Sequence, residues 1–229
     1  MVFENREEAG HLLASKLQQY RNHPHGLILA LPRGGVAVGY AMSLDLHLPL
    51  DVFMTRKIGA PGNPEYALGA VSETGNVYLN PDAVAQCRVS DADIEHLVKV
   101  QREEISRRQM LYRRGRQPLN LKNRLVILVD DGIATGATFF ASVEAIRRQH
   151  PQFLVGAIPV GPLETIDRAR AAVDELAVLT TPGQFWSVGG QYAEFAQVSD
   201  QEVLDYLRSA ERASDVKHGV SSLPSSGMG

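Results

Sequence analysis

Two adjacent carboxylates, Asp130 and Asp131, stand between a run of apolar residues and a loop of small and hydroxylated residues. The apolar run, residues 125–129, lacks polar alternation, which predicts a strand buried on both faces of a parallel sheet. The loop consists of Gly132, Ile133, Ala134, Thr135, Gly136, Ala137 and Thr138 and leads into a helix predicted over residues 137–149. Its N–H groups and the positive helix end favour a phosphate, whereas the carboxylates suit sugar hydroxyls or hydrated Mg²⁺. This stretch therefore predicts a site for a phosphorylated, polyhydroxylated sugar.

Residues 124–138 resemble the donor-binding signature of the type I phosphoribosyltransferases, which use 5-phosphoribosyl 1-diphosphate (PRPP). The resemblance implies that Asp130 and Asp131 hold the ribose hydroxyls and that the backbone of residues 132–138 wraps the 5′-phosphate. It also implies Mg²⁺ as the cofactor, bound through PRPP, with Asp130 or Asp131 reaching the ion through water. The alternative is an ordinary strand, turn and helix with two surface acids.

A second glycine turn follows a predicted strand at residues 27–31. It consists of Pro32, Arg33, Gly34 and Gly35 and precedes a helix predicted over residues 36–46. Such a turn presents N–H groups to an anion, and Arg33 adds a permanent charge with a planar fork of donors. In the resembled family this turn binds pyrophosphate, which implies the same role for Arg33, Gly34 and Gly35. An ordinary tight turn is the alternative, but two such turns are expected on neighbouring strands.

A basic pair, Arg56 and Lys57, ends the next predicted strand, residues 50–55. The following residues 58–65 are rich in proline and glycine, which predicts a mobile loop, and residues 67–80 are predicted to form a hairpin. In the family a flexible loop from this region closes over the reaction centre and excludes water. The resemblance therefore makes Arg56 and Lys57, with Arg33, candidates for holding the departing pyrophosphate. A solvated basic pair is the alternative.

The remaining pattern alternates strands and helices. Predicted helices cover residues 5–20, 36–46, 90–114, 137–149, 163–173 and 200–212, and predicted strands cover residues 27–31, 50–55, 67–72, 76–80, 125–129, 153–160 and 176–181. This alternation predicts an α/β, doubly wound, mostly parallel sheet flanked by helices, with ligands beyond the carboxyl ends of the strands. A small hairpin lobe and the long helix fall within residues 56–116. We expect residues 1–212 to form one domain and residues 213–229 a disordered tail.

Two aromatic residues, Phe185 and Trp186, follow the last predicted strand and should emerge at the same sheet edge. Since a flat base needs a flat partner, they are predicted to line the pocket for an acceptor base. Burial of both rings in the core is the alternative. Ala134 stands where the 6-oxopurine enzymes of the family carry an aspartate, which argues against hypoxanthine and guanine.

The long helix predicted over residues 90–114 has a basic half. Residues 99–116 contain seven Lys or Arg residues but only two Glu residues. A surface that binds RNA is one interpretation, but aromatic residues that could stack on bases are scarce, so a solvated helix is favoured.

Composition indicates a globular enzyme-sized chain with a small-molecule partner. The chain has 229 residues, of which 44% are hydrophobic and 21% charged, and a net charge of -3 gives no drive toward nucleic acid or membrane. Cys87 is the only cysteine, which fits a reducing cytoplasm. The N-terminus lacks an apolar signal region, and no run of eighteen apolar residues suggests a membrane span.

The resemblance covers most of residues 3–207 and is greatest to bacterial phosphoribosyltransferases of unassigned substrate. It implies transfer of the 5-phosphoribosyl group to a nitrogen acceptor, for which a nucleobase is favoured, as part of nucleotide and nucleoside metabolism. A regulator that senses PRPP or a nucleotide, and a ribose-phosphate hydrolase, are the alternatives. The acceptor and the oligomeric state stay open, with a homodimer among the options.

Overall fold

The computed structural model describes residues 2–113 and 120–217. The helices are α1 (Arg6–Lys16), α2 (Gly34–Leu46), α3 (Pro81–Cys87), α4 (Asp91–Arg113), α5 (Ala137–Arg147), α6 (Leu163–Ala172) and α7 (Asp200–Lys217). The strands are β1 (Gly26–Ala30), β2 (Leu50–Val52), β3 (Thr55–Ala60), β4 (Asn63–Ser72), β5 (Val77–Leu79), β6 (Leu125–Val129), β7 (Phe153–Val160) and β8 (Glu175–Thr180). The predicted end of the long helix at residue 114 and most of the predicted disordered tail lie outside the described residues.

The main sheet has five parallel strands in the order β2-β1-β6-β7-β8. Apolar side chains cover both of its faces, since Leu27 and Leu29 join the cluster beneath α5 and α6 while Ile28 joins the cluster beneath α1 and α2. Strands β1 and β6 are direct neighbours, with Gly26 opposite Leu125. The chain passes from β1 to β2 on one side, whereas β6 lies on the other, so the strand order reverses at this point. The predicted doubly wound fold is confirmed.

The strand predicted over residues 50–55 is wrong in extent, because β2 ends at Val52 and β3 begins a second sheet at Thr55. Backbone hydrogen bonds continue at this junction, since the Phe53 N–H donates to the Ala30 carbonyl at 3.0 Å, and side chains add to them. Arg113 Nη2 donates to the Val52 carbonyl at 2.7 Å, and the Met54 N–H donates to Glu73 Oε2 at 2.9 Å. The buried pair of Arg113 and Glu73, 2.9 Å apart, therefore turns the chain out of the main sheet.

The second sheet is antiparallel, in the order β3-β4-β5. The prediction of a mobile loop over residues 58–65 is wrong, because this segment is the β3–β4 hairpin, with Ala60 paired to Asn63. Pro61 presets the first central position of the turn, and Gly62 takes a φ of 76° that favours glycine at the second. The same proline and glycine that suggested mobility thus form a tight turn. The predicted hairpin between β4 and β5 is confirmed.

Helix α4 packs against the small sheet, and α7, which packs against α2, joins the same apolar cluster, which includes Ile58, Leu68, Val98, Ile105 and Val203. The Ser90 side chain caps α4 by accepting from the Asp93 N–H at 3.2 Å. Across the part of the chain that the structure describes, no helix is both long and apolar enough to cross a membrane.

Candidate functional site

The turns after β1 and β6 meet at the carboxyl edge of the main sheet. A Cβ atom on Gly34 would lie 1.9 Å from Asp131 Oδ2, and one on Gly35 would lie 3.0 Å from Asp130 Cα. Only glycine permits this approach, so the sequence brings the turn of residues 32–35 directly against the acid pair. The expectation that the two turns lie on neighbouring strands is confirmed.

The acid pair is held by contacts from two distant segments. Arg6 Nε lies 2.8 Å from Asp131 Oδ2, and the Tyr192 hydroxyl donates to the Asp131 carbonyl at 2.5 Å. The Asp131 N–H donates to Asp130 Oδ1 at 2.9 Å. Burial, followed by repulsion from Asp131, raises the pKa of Asp130 well above its usual value. Burial also raises the pKa of Asp131, although Arg6 opposes this rise. Hydroxyl donors or a cation would therefore stabilise the ionised pair.

Arg6 was missed by sequence reasoning as a site residue, because it lies 125 positions from Asp131. Its guanidinium stacks 3.8 Å from the centre of the Phe195 ring, and Nη1 donates to the Ala196 carbonyl at 2.8 Å. Arg6, Tyr192 and Phe195 fall in segments that carry the family resemblance, which was the available signal. Together they fix the orientation of Asp131.

A cleft of about 320 Å³ opens beside Asp130. Its wall consists of Lys57, Ala67, Asp130, Gly132, Ile133, Ala134, Thr135, Gly136, Ala137, Thr138, Phe139 and Val188. The structure thus brings Lys57, from the small sheet, against the whole predicted phosphate loop. The size of the cleft suits a small molecule.

Two backbone contacts divide the loop into an anchored part and an open part. The Ile133 N–H donates to the Val160 carbonyl at 2.9 Å, and the Ile133 side chain is buried. The Ala134 carbonyl accepts from the buried Thr165 hydroxyl at 2.9 Å. Since the carbonyl and the next N–H of a trans peptide point in opposite directions, this bond directs the Thr135 N–H away from α6. Thr165 is a second positioning residue that the sequence did not indicate.

Gly136 joins the loop to α5. Its φ of 73° lies in the left-handed region, and a Cβ atom there would lie 2.5 Å from the Phe140 ring. As the residue that caps α5, Gly136 has no side chain to satisfy the first helix N–H groups. Thr135 Oγ1 accepts only weakly from the Ala137 N–H, at 3.4 Å, so the helix start is suited to an anion from outside the helix.

The predicted cations do not share one position. Lys57 lines the cleft, whereas Arg56 Nε donates to Gln101 Oε1 of α4 at 3.1 Å. Neighbouring side chains in a strand point to opposite faces, so β3 separates this pair. Arg33 Nη1 lies 3.9 Å from Asp200 Oδ1, at the start of α7. Arg33 and Arg56 thus lie on the side of β3 that faces α4 and α7, and Lys57 lies on the side that faces the cleft.

Phe185 and Trp186 differ in environment. Phe185 packs against the apolar cluster of Phe3 and Tyr192, whereas Trp186 is 89% exposed. Burial of both rings is therefore excluded. From the same segment it is Val188 that lines the cleft, so the aromatic acceptor pocket stays a prediction.

The donor set available for a metal is small. Within residues 2–113 and 120–217, no group of three or more His, Cys, Asp or Glu side chains could hold an ion. Mg²⁺ is commonly bound by one or two carboxylates together with substrate phosphates and water, and the acid pair beside the cleft fits that mode.

A doubly wound sheet that carries an acid pair, a glycine turn and a phosphate-type loop at its switch point defines a nucleotide- or sugar-phosphate-binding class of protein. Within that class, the chain belongs to the phosphoribosyl transferase domain family, whose model matches residues 2–192. This membership confirms the resemblance inferred from residues 124–138.

Individual relatives agree with this assignment. Two provisionally named phosphoribosyl transferases of Mycobacterium tuberculosis, from strains CDC 1551 / Oshkosh and ATCC 25618 / H37Rv, are each 39% identical over 211 residues, which is 92% of this chain. The chain spans about half, 47%, of the length of these curated relatives. The crystal structure of TT1426 from Thermus thermophilus is 40% identical, with a TM-score of 0.74 over 90% of this chain and 98% of that chain.

Proposed function

We propose that the protein transfers the 5-phosphoribosyl group of PRPP to a nitrogen acceptor and releases pyrophosphate. The observation that carries the proposal is the cleft in which Asp130, Lys57 and the loop of residues 132–138 face one another. A cleft with one carboxylate, one cation and the N–H groups of a helix start matches a ligand with hydroxyls at one end and phosphate at the other.

In this proposal the 5′-phosphate lies against the Thr135 N–H and the first N–H groups of α5. The ribose hydroxyls donate to Asp130 and Asp131, which lie next to the loop. The diphosphate extends toward Arg33, because Gly34 contacts Asp131 directly. The anchored Ile133 N–H takes no part in phosphate binding, since Val160 already accepts from it.

Mg²⁺, when bound, would neutralise charge on the diphosphate and so favour its departure. Asp130 and Asp131 are the residues suited to hold the ion, directly or through water, together with the phosphates of the donor. Ionisation of both acids is assisted by Arg6, which lowers the pKa of Asp131 against the effect of burial.

The chemistry requires no covalent nucleophile from the protein. The acceptor nitrogen forms a bond to C1 of the ribose and loses its proton to solvent, the bond from C1 to the diphosphate oxygen breaks, and pyrophosphate leaves with that electron pair. Arg33 and Arg56 supply positive charge that stabilises the leaving group, and Lys57 adds positive charge from the cleft on the other side of β3. Ala134, which is exposed in the cleft wall, gives no acid to a 6-oxopurine, so an adenine- or uracil-type acceptor is favoured.

The unit that performs this reaction comprises residues 1–212 in our proposal. We assign the reaction to the cytoplasm, because the single cysteine, Cys87, is exposed and free, which suits a reducing compartment.

The test measures pyrophosphate release from PRPP and Mg²⁺ with and without purines, pyrimidines and amines. Release that depends on an added base supports a transferase, and release without a base indicates a hydrolase. Tight binding of PRPP without release under any condition would support the sensing alternative. Asp130→Asn, which removes the cleft carboxylate, is expected to reduce release by about tenfold or more.

A further inference from the structure

A carboxylate from α7 faces the proposed diphosphate turn. Asp200 accepts from the buried Tyr112 hydroxyl at 2.5 Å, and its other oxygen lies 3.5 Å from Arg107 Nη2. The Tyr112 hydrogen bond, helped by nearby arginines, lowers the pKa of Asp200, so this group is ionised. Arg33 Nη1 lies 3.9 Å from Asp200 Oδ1, beyond hydrogen-bond distance. The ion pair of Arg33 with Asp200 is therefore loose, whereas Tyr112 and Arg107 keep Asp200 in place.

Further guanidinium groups surround this position. Arg108 Nε lies 2.7 Å from Glu104 Oε1, and its side chain is only 13% exposed. Arg56 is half-buried and donates to the neutral amide of Gln101 at 3.1 Å. Burial lowers the pKa of Arg56, and repulsion from Arg108 and Arg33 lowers it further. A half-buried cation among like charges gains free energy when an anion binds beside it.

We propose that Arg108 of α4 completes a diphosphate site with Arg33 and Arg56, and that Asp200 is a built-in competitor from which Arg33 transfers to the bound diphosphate. The inference rests on the proposed function, because it names how the donor site of that reaction is built and regulated. Guanidinium forks match phosphate oxygens, which can accept paired hydrogen bonds. Asp200 keeps Tyr112 and Arg107 after Arg33 leaves, so the exchange leaves no unpaired carboxylate.

Removal of the competing Asp200 carboxylate and removal of the Arg108 guanidinium should change the affinity for pyrophosphate in opposite directions. Asp200→Asn frees Arg33, so pyrophosphate should bind roughly three- to fivefold more tightly, the gain expected from releasing one exposed ion pair. Arg108→Gln should weaken pyrophosphate binding by about tenfold or more, because a charge-assisted hydrogen bond is lost. Neither change should alter the affinity for ribose 5-phosphate, whose phosphate lies in the loop of residues 132–138. A purely structural role of Asp200 would lower both affinities.

Calorimetry on the full chain, with Mg²⁺ and either pyrophosphate or ribose 5-phosphate, measures these affinities. Arg148→Gln is the matched control for Arg108, since Arg148 also pairs with a glutamate four positions earlier on a helix, at 2.6 Å from Glu144. Asp205→Asn controls for loss of an acid on α7. Arg107→Gln, at a side chain 54% exposed, removes one of the two partners that hold Asp200. Asp200 should then compete more strongly for Arg33, so pyrophosphate should bind severalfold more weakly to this variant.

Tighter binding to Asp200→Asn together with weaker binding to Arg108→Gln and Arg107→Gln, with unchanged controls, supports the inference. Unchanged or weaker binding to Asp200→Asn overturns it, as does unchanged binding to Arg108→Gln. If Asp200→Asn fails to fold, the two arginine variants decide. A wild-type protein that binds ribose 5-phosphate but not pyrophosphate contradicts this inference alone, whereas one that binds neither contradicts the proposed function as well.

Discussion

Arg6 Nε and Asp131 Oδ2 form an ion pair at 2.8 Å that joins α1 to the end of β6. The two acids of the pair are therefore not equivalent. Asp131 has a cationic partner, whereas Asp130 accepts the Asp131 N–H and has its pKa raised by burial and by Asp131 itself. Arg6 offsets part of the cost of burying Asp131, whereas Asp130 is held ready for a ligand at the expense of stability.

The first prediction follows from this difference. At about pH 8, Asp130→Asn should raise the free energy of unfolding by about 1 kcal/mol, because it removes a half-buried charge beside Asp131. Asp131→Asn should lower it by about 1–3 kcal/mol, because Arg6 loses its partner. Both variants should bind PRPP more weakly. Thermal unfolding and calorimetry measure the two quantities.

The advantage of Asp130→Asn should depend on pH. A carboxyl whose pKa is raised in the folded state binds protons more readily there than in the unfolded state, so wild-type stability rises as pH falls through the raised pKa. The gain from Asp130→Asn should therefore shrink as pH falls toward the ordinary Asp value of about 4. Equal melting temperatures for wild type and Asp130→Asn across this range would show that Asp130 is not perturbed by burial.

The second prediction concerns Gly136. Gly136→Ala, and more strongly Gly136→Val, should abolish binding of ribose 5-phosphate, because the φ of 73° is strained for a residue with a Cβ atom and the Phe140 ring lies 2.5 Å from its position. Gly183→Ala is the control, since a Cβ atom there meets nothing within 4 Å. Calorimetry with ribose 5-phosphate measures the effect. Wild-type affinity in a folded Gly136→Val protein would remove the loop of residues 132–138 from the phosphate site.

The sequence predicts those parts of the site whose residues lie close together along the chain, but not the contacts between residues far apart in sequence. The unbroken apolar run of β6 and the acids after it are local, and its limits, residues 125–129, were predicted as observed. The partners of those acids are not local: Arg6 and Tyr192 lie in segments whose role depends on tertiary packing. The prediction of a mobile loop over residues 58–65 was wrong for another reason. Proline and glycine favour mobile loops and tight turns alike, and only the pairing of Ala60 with Asn63 distinguishes the two.

The third prediction tests the positioning of the phosphate loop by α6. Thr165→Val keeps the shape of the buried side chain but removes the hydroxyl that donates to the Ala134 carbonyl at 2.9 Å. Loss of that bond should weaken ribose 5-phosphate binding by about tenfold, because the Thr135 N–H loses its fixed direction, and should lower stability by about 1 kcal/mol. Thr165→Ser should restore the affinity. A Ser variant no better than the Val variant would mean that the methyl group, rather than the hydroxyl, supports the loop.

The last prediction separates Phe185 from Trp186. Phe185→Ala should lower the melting temperature, since this ring packs against the cluster of Phe3 and Tyr192. Trp186→Ala should leave the melting temperature unchanged, because the indole is 89% exposed, and it should leave PRPP affinity unchanged too. If the indole stacks on the acceptor base, its loss should weaken acceptor binding by about one to two orders of magnitude, as 1–3 kcal/mol of stacking requires.

Trp186 also makes this prediction testable before the acceptor is known. It is the only tryptophan of the chain, so all indole fluorescence reports on this one position. With PRPP or ribose 5-phosphate bound, a base that stacks on the ring should quench that fluorescence saturably, and the same base should then support pyrophosphate release. Phe185→Tyr keeps an aromatic ring beside Trp186 and is the control for changes in Trp186 fluorescence that arise without stacking of the base. If a base supports release while the fluorescence of Trp186 stays constant, the acceptor binds elsewhere, and the wall formed by Val188 becomes the position to test.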